Sequence, residues 1–188
     1  GNTSLMVYYD IDANYIDAEP IRNHTDSQLI AAYQKLWGQT NRGRKTKPNL
    51  HILDNEASEA FKSAIQQNCN LQLVPPDTHR RNLAERAIQT FKSHFIAILA
   101  GVDPSFPMNL WDRLIPQAVM MLDLLCQSKK NPSILAFQHV NGNFDYNKWP
   151  LAPLGCAVEM HESTNRRKSW DPHSLSGWYL GTSTEHYR

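Results

Sequence analysis

Two short apolar runs, Leu50-His51-Ile52-Leu53 and Leu71-Gln72-Leu73-Val74, bracket a helical pattern, and a carboxylate follows the first run directly. The first run delivers Asp54-Asn55. The second is stopped by Pro75-Pro76, shortly before Arg80-Arg81-Asn82-Leu83-Ala84-Glu85-Arg86 opens a long amphipathic stretch. Between the runs, Ala57, Ala60, Phe61, Ala64 and Ile65 recur at helical spacing. Strand, helix, strand and helix in this order call for a mixed α/β architecture. Asp54 then falls at the C-terminal end of a buried strand, where open α/β sheets place ligands and catalytic groups. Glu85 falls in the first turn of a helix.

The flanking sequence extends this arrangement. Leu5 to Tyr9 is an apolar and aromatic run, and Tyr15 to Glu19 resumes after the turn-forming Asp10 to Asn14, so the pair predicts a β-hairpin. Thr25-Asp26-Ser27-Gln28 has capping-box spacing ahead of a helix burying Leu29, Tyr33, Leu36 and Trp37. Asn41 to Pro48 reads as a polar loop carrying Arg42, Arg44, Lys45 and Lys47. The long helix from about Asn82 to Ala100 should bury Ala84, Ala87, Ile88, Phe91, Phe95 and Leu99. A further helix from Met108 to Cys126 should bury Trp111, Leu114, Ile115, Ala118, Leu122 and Leu125, with a kink at Pro116. After Asn131-Pro132 the chain turns rich in proline and glycine, with short runs at Ala157 to His161 and Trp178 to Leu180. The expected division is 1–130 as an α/β three-layer core, 131–153 as an extended linker and 154–188 as part of a small β module.

Composition narrows the function classes. A hydrophobic share of 41% supports a packed core. The formal charge of +1 offers no global basic signal, so any argument for nucleic acid has to be local. Cys69, Cys126 and Cys156 are odd in number and widely spaced, which points to a reducing, intracellular setting rather than a disulfide or zinc framework. No long uncharged apolar run or signal-peptide pattern occurs, so no membrane partner is expected. The chain reads as beginning in mid-strand and ending just after one, which suggests an excerpt of a longer polypeptide.

Asp54 and Glu85 are the candidate catalytic and metal-binding residues. Two hard-oxygen carboxylates can hold Mg²⁺ or Mn²⁺ while leaving positions for water and phosphate oxygens. Each also has a plainer reading: Asp-Asn turns a chain out of a strand, and a carboxylate suits a helix N-terminus. Glu85, Gln89 and Lys92 form one stripe opposite the apolar face, and His79-Arg80-Arg81 leads straight into that helix, so these residues are the candidate DNA contacts. The clusters Arg42 to Lys47, Lys129-Lys130 and Arg166-Arg167-Lys168 read as solvated loops. Asp10 and Asp12 are the remaining carboxylates at a strand end. His51 and His94 lack metal-ligand spacing and read as packing or surface residues.

Leu53-Asp54-Asn55-Glu56, followed by Arg81-Asn82-Leu83-Ala84-Glu85-Arg86, resembles the integrase core of copia-type retrotransposons, where the pattern is Asp-Asn-Gly-x-Glu-Phe and then Asn-Gly-x-Ala-Glu-Arg. Leu5 to Ile21 is similar to the second and third strands of retroviral integrase cores. Phe106-Pro107 to Trp111 and Asn131-Pro132-Ser133 resemble the continuation beyond the core. Leu154-Gly155-Cys156, Trp170-Asp171-Pro172 and Gly177 to Gly181 resemble the small barrel that follows it in the polyprotein.

The resemblance implies a ribonuclease-H-like fold, an SH3-like barrel segment and an acidic triad using Mg²⁺ or Mn²⁺. It implies trimming of element DNA 3′ ends and their transfer into target DNA, by a homo-oligomer working in the nucleus and the virus-like particle. Asp54 matches the second triad member and Glu85 the third; Lys92 and Gln89 match DNA-contacting positions. Departures are Glu56 and Leu83 where the family has glycine, and an Asp54-to-Glu85 separation of 31 residues, short for the family. The first catalytic Asp would lie upstream of Gly1, so this chain alone is expected to be inactive.

Overall fold

In the computed structural model, residues 1–44, 47–53, 57–74 and 83–183 are described. They form strands β1 (Ser4–Asp10) and β2 (Tyr15–Ile21), helix α1 (Asp26–Thr40), strand β3 (Leu50–Leu53), helix α2 (Glu59–Gln66), strand β4 (Asn70–Leu73) and helix α3 (Leu83–Ala100). A 3-10 helix (Met108–Leu114) leads into α4 (Ile115–Leu125), followed by α5 (Ala136–Asn141), β5 (Ala157–His161) and β6 (Ser174–Trp178).

β1 and β2 pair antiparallel from Ser4↔Ile21 to Asp10↔Tyr15. Their turn is closed by Asp10, whose Oδ1 accepts the Ala13 N–H at 2.9 Å, and by Asn14 at φ 54°. Asn tolerates that left-handed conformation better than other non-glycine residues. Between Ser4 and Asp10, β1 is apolar or aromatic because both its faces are covered. Leu5, Val7 and Tyr9 pack toward Ala87, Phe91 and Phe95 of α3 and Ile115, Ala118 and Leu122 of α4. Met6 and Tyr8 pack on the other side with Tyr33, Leu36 and Trp37 of α1 and Phe61 and Ile65 of α2. The result is three layers, with α1 and α2 on one face of the strands and α3 and α4 on the other.

β3 and β4 form a second, parallel pair, Leu50↔Asn70 to Leu53↔Leu73. Leu53 and Leu71 join the α1–α2 core, and the His51 ring lies 5.8 Å from Tyr8 and 5.5 Å from Tyr33. Although β1 and β3 share that core, they belong to separate two-stranded sheets. Leu50 and Ile52 stay 48% and 41% exposed, on the strand face away from α1.

Several sequence expectations are corrected. Thr25 precedes α1, but no side-chain capping bond forms; its hydroxyl instead donates to Asn23 Oδ1 at 2.7 Å. Pro116 does not kink a continuous helix. It stands in the first turn of α4, where its missing N–H costs nothing, and the preceding residues wind as a separate 3-10 helix. Ile88 and Leu125 are exposed, because the buried stripe of α3 runs through Ala87, Phe91 and Phe95, and Leu125 closes α4 at the surface. The last strand among the described residues is Ser174–Trp178 rather than Trp178 to Leu180.

Residues 131–153 are not simply extended. They contain α5 and bury Phe137 and Phe144 against Met120 and Leu124 of α4. The β5–β6 hairpin and its flanks are tied to the turn after α3 and to α4. Asp103 N–H donates to Gly155 O at 3.0 Å, the Trp178 indole to Ser105 Oγ at 3.3 Å, and Thr182 N–H to Gln117 Oε1 at 2.9 Å.

Candidate functional site

The parallel register brings the C-terminal residues of β3 and β4 side by side, and Val74 N–H donates to Leu53 O at 2.9 Å. The residue after Leu53 is Asp54, and the chain leaving β4 continues to α3 and Glu85. Asp54 itself, with His79, Arg80 and Arg81, lies outside the described residues.

Glu85, Gln89 and Lys92 are all exposed, on successive turns of α3 flanking its buried stripe. That stripe exists because Ala87, Phe91 and Phe95 recur every fourth residue and the two phenyl rings stack at 5.7 Å. Burying these residues holds α3 in one rotation and leaves the polar stripe outward. An exposed carboxylate, amide and ammonium on one helix edge can meet a hydrated cation and a phosphate backbone.

Asp10, the other strand-end carboxylate, is committed elsewhere. One oxygen accepts Ala13 N–H and the other pairs with Arg44 Nη1 at 2.5 Å, with both side chains largely buried. Arg44 therefore does not belong to a solvated basic loop, as its sequence context suggests. Asp12 is exposed and faces Lys130 at 3.7 Å. Among the described residues, no group of three His, Cys, Asp or Glu side chains could hold a metal ion. The donor chemistry suits a hard cation only insofar as Glu85 is available for it.

His51 and His94 fall as their sequence context indicates. His51 is packed between two tyrosine rings, and burial holds its pKa below the ordinary value. His94 bridges to α4 through Nε2, 3.1 Å from Ala118 O.

Sequence reasoning missed two buried carboxylates, Asp17 in β2 and Asp123 on α4. Asp123 on α4 accepts the Ile16 N–H at 3.0 Å, satisfying an outward edge group of β2. Burial, with a contribution from the Asp17 charge, pushes Asp123 up to about 9. Asp17 is itself raised to about 6, chiefly by burial. An Asp inside the otherwise apolar run Ala118 to Leu125 was the available signal.

No protein-family model matches the sequence, and no curated protein matches it. Solved structures do match by shape. The catalytic core domain of HTLV-2 integrase, solved with magnesium in a dimeric form, matches with a TM-score of 0.52 at 16% identity, over 74% of this chain and 84% of that one. The catalytic core domain of BIV integrase matches with a TM-score of 0.50 at 15% identity, over 74% of this chain and 90% of that one. A chain of the simian T-cell lymphotropic virus intasome, solved with the PP2A regulatory subunit B56 gamma, matches with a TM-score of 0.57 at 16% identity, over 95% of this chain and 60% of that one. By fold, then, the chain resembles a retroviral integrase catalytic core.

Proposed function

We propose that this chain is most of the catalytic core, with part of a downstream SH3-like barrel, of a copia-type retrotransposon integrase. The enzyme is a ribonuclease-H-like polynucleotidyl transferase that trims element DNA ends and joins them to target DNA. The observation that carries the reading is the parallel β3–β4 pair: the chain segments leading to Asp54 and to Glu85 both leave from its C-terminal end, within an integrase-core-like fold.

In this reading Asp54 and Glu85 are the second and third members of an acidic triad. They would hold Mg²⁺ or Mn²⁺, which when bound would activate a water (end trimming) or a DNA 3′-hydroxyl (joining) for attack on phosphorus and stabilise the departing 3′ oxygen of the cleaved strand. Gln89 and Lys92 line up element DNA along α3, and His79, Arg80 and Arg81 hold phosphates ahead of that helix. Asp10 takes no part, because Arg44 neutralises it.

In the parent integrase the first triad carboxylate belongs on a strand between β1 and β3. The division into two small sheets over one shared α1–α2 core, with Leu50 and Ile52 left exposed, supports such a strand. The parent works as a homo-oligomer on element ends and target DNA, in the nucleus and the virus-like particle.

The test is strand transfer by the parent protein on an oligonucleotide carrying the element end. Asp54→Asn and Glu85→Gln should each reduce it at least ~100-fold. Full activity in both variants would overturn the assignment. A non-catalytic DNA-binding module would instead bind DNA equally well with or without divalent metal and show no transfer.

A further inference from the structure

The loop joining β5 to β6 gathers three cations, Arg166, Arg167 and Lys168, next to the most exposed large side chain described, Trp170 at 98%. Sequence context alone reads this as a solvated loop. Its geometry is more ordered than that. Glu162 N–H donates to His173 O at 2.9 Å and closes the base of the loop. Arg166 N–H donates to Ser163 O at 2.9 Å, forming one turn, and Asp171 N–H donates to Lys168 O at 3.1 Å, forming a second. That second turn is closed again from the other side, since Lys168 N–H donates to the Asp171 carboxylate at 2.8 Å. Asp171 is thus engaged with the backbone of the turn that carries Trp170.

We infer that this hairpin tip is a binding site for unpaired nucleotides, with Trp170 stacking on a base and Arg166 and Lys168 contacting flanking phosphates. The inference rests on the reading of the chain as a DNA-processing enzyme, but uses neither its metal site nor α3. An indole left almost wholly in water offers a stacking face, and stacking on an aromatic side chain is the general way proteins hold single strands irrespective of sequence. Arg166 and Lys168 are both exposed and stand four and two residues before the indole, within about 14 Å of extended chain. Doubly closed turns lower the ordering cost of binding. Duplex interiors hide base faces, so the ligand is a single strand or a frayed end. An anionic membrane surface would also attract these cations, but the tip presents one apolar side chain among Ser, Thr, Asn and charged neighbours, too little to insert.

The experiment uses the full chain with EDTA and a fluorescein-labelled 12-nucleotide single strand, read by anisotropy across a salt series. Trp170→Ala should weaken binding about 10-fold, while Trp170→Phe keeps most of it. Arg166→Ala with Lys168→Ala should flatten the slope of log affinity against log salt by about 0.7 for each lost phosphate contact. A blunt duplex should bind less Trp170-dependently than the single strand. Unchanged single-strand binding in these variants would overturn the tip assignment and leave the integrase reading intact, as Glu85→Gln strand-transfer data judge that reading separately. No single-strand binding by the wild-type chain, or Trp170-dependent binding of phosphatidylserine vesicles in its place, would also overturn it.

Discussion

Arg44 Nη1 lies 2.5 Å from Asp10 Oδ2, and the two side chains are only 14% and 5% exposed. The pair joins the end of β1 to the segment after α1, across 34 positions of sequence. Removing one partner leaves an uncompensated charge in a poorly hydrated place. Arg44→Ala should therefore lower stability by about 3–5 kcal/mol in urea unfolding. Asp10→Asn in the parent should leave strand transfer per folded molecule unchanged, since Asp10 is a structural carboxylate.

Glu85 makes the opposite case. It is exposed on the first turn of α3, so Glu85→Gln should cost no more than about 1 kcal/mol, the scale of a lost helix-terminus interaction. Abolished transfer with a nearly unchanged unfolding curve is the expected result. Calorimetric titration of Mn²⁺ into the wild type, Asp54→Asn and Glu85→Gln adds a second readout. Weak binding lost in both variants would place the two carboxylates in one site.

Asp123 sets a pH dependence. Its folded pKa, about 9, lies above the ordinary 3.8, so between those values the folded chain keeps a proton that the unfolded chain releases. That contribution to stability is full below about pH 4 and is lost as pH rises toward 9, at up to about 1.4 kcal/mol per unit. Asp17, raised to about 6, acts in the same direction over a narrower window. Asp123→Asn keeps an oxygen to accept the Ile16 N–H and removes the ionisation. Urea unfolding at pH 5 and pH 8 should show a smaller loss of stability in the variant than in the wild type.

Gly155 holds the β5–β6 hairpin to the core at φ +69°, and a Cβ there would lie 2.5 Å from Val102 Cγ1. Gly155→Ala combines backbone strain with overpacking and should destabilise by about 1–3 kcal/mol. Limited proteolysis should then cut between residues 156 and 178 before it cuts α3 or α4.

The hairpin, the strand–helix–strand unit and α3 were legible because each carries its own periodicity: the run Leu5 to Tyr9, the stripe from Ala57 to Ile65, and Ala87, Phe91 and Phe95. The error at Pro116 has a local cause. Proline is equally at home in a kink and in a first helical turn, and only the 3-10 winding of the residues before it decides between them. The Asp10–Arg44 and Asp123–Ile16 links were not legible, since they join residues 34 and 107 positions apart and depend on packing rather than pattern. The helix α5 was hidden by the proline- and glycine-rich texture around its six residues.

α3 begins at Leu83, two residues before Glu85, and ends at Ala100, where the next few residues grip Gly155 and Trp178. At 1.5 Å per residue, its 18 residues make a rod of roughly 27 Å. That is about eight base-pair steps of duplex DNA. The helix is therefore a ruler, fixing how far the root of the C-terminal hairpin stands from the carboxylate at its other end. Inserting four residues into α3 would lengthen that distance by about 6 Å and turn everything beyond the insertion by about 40°.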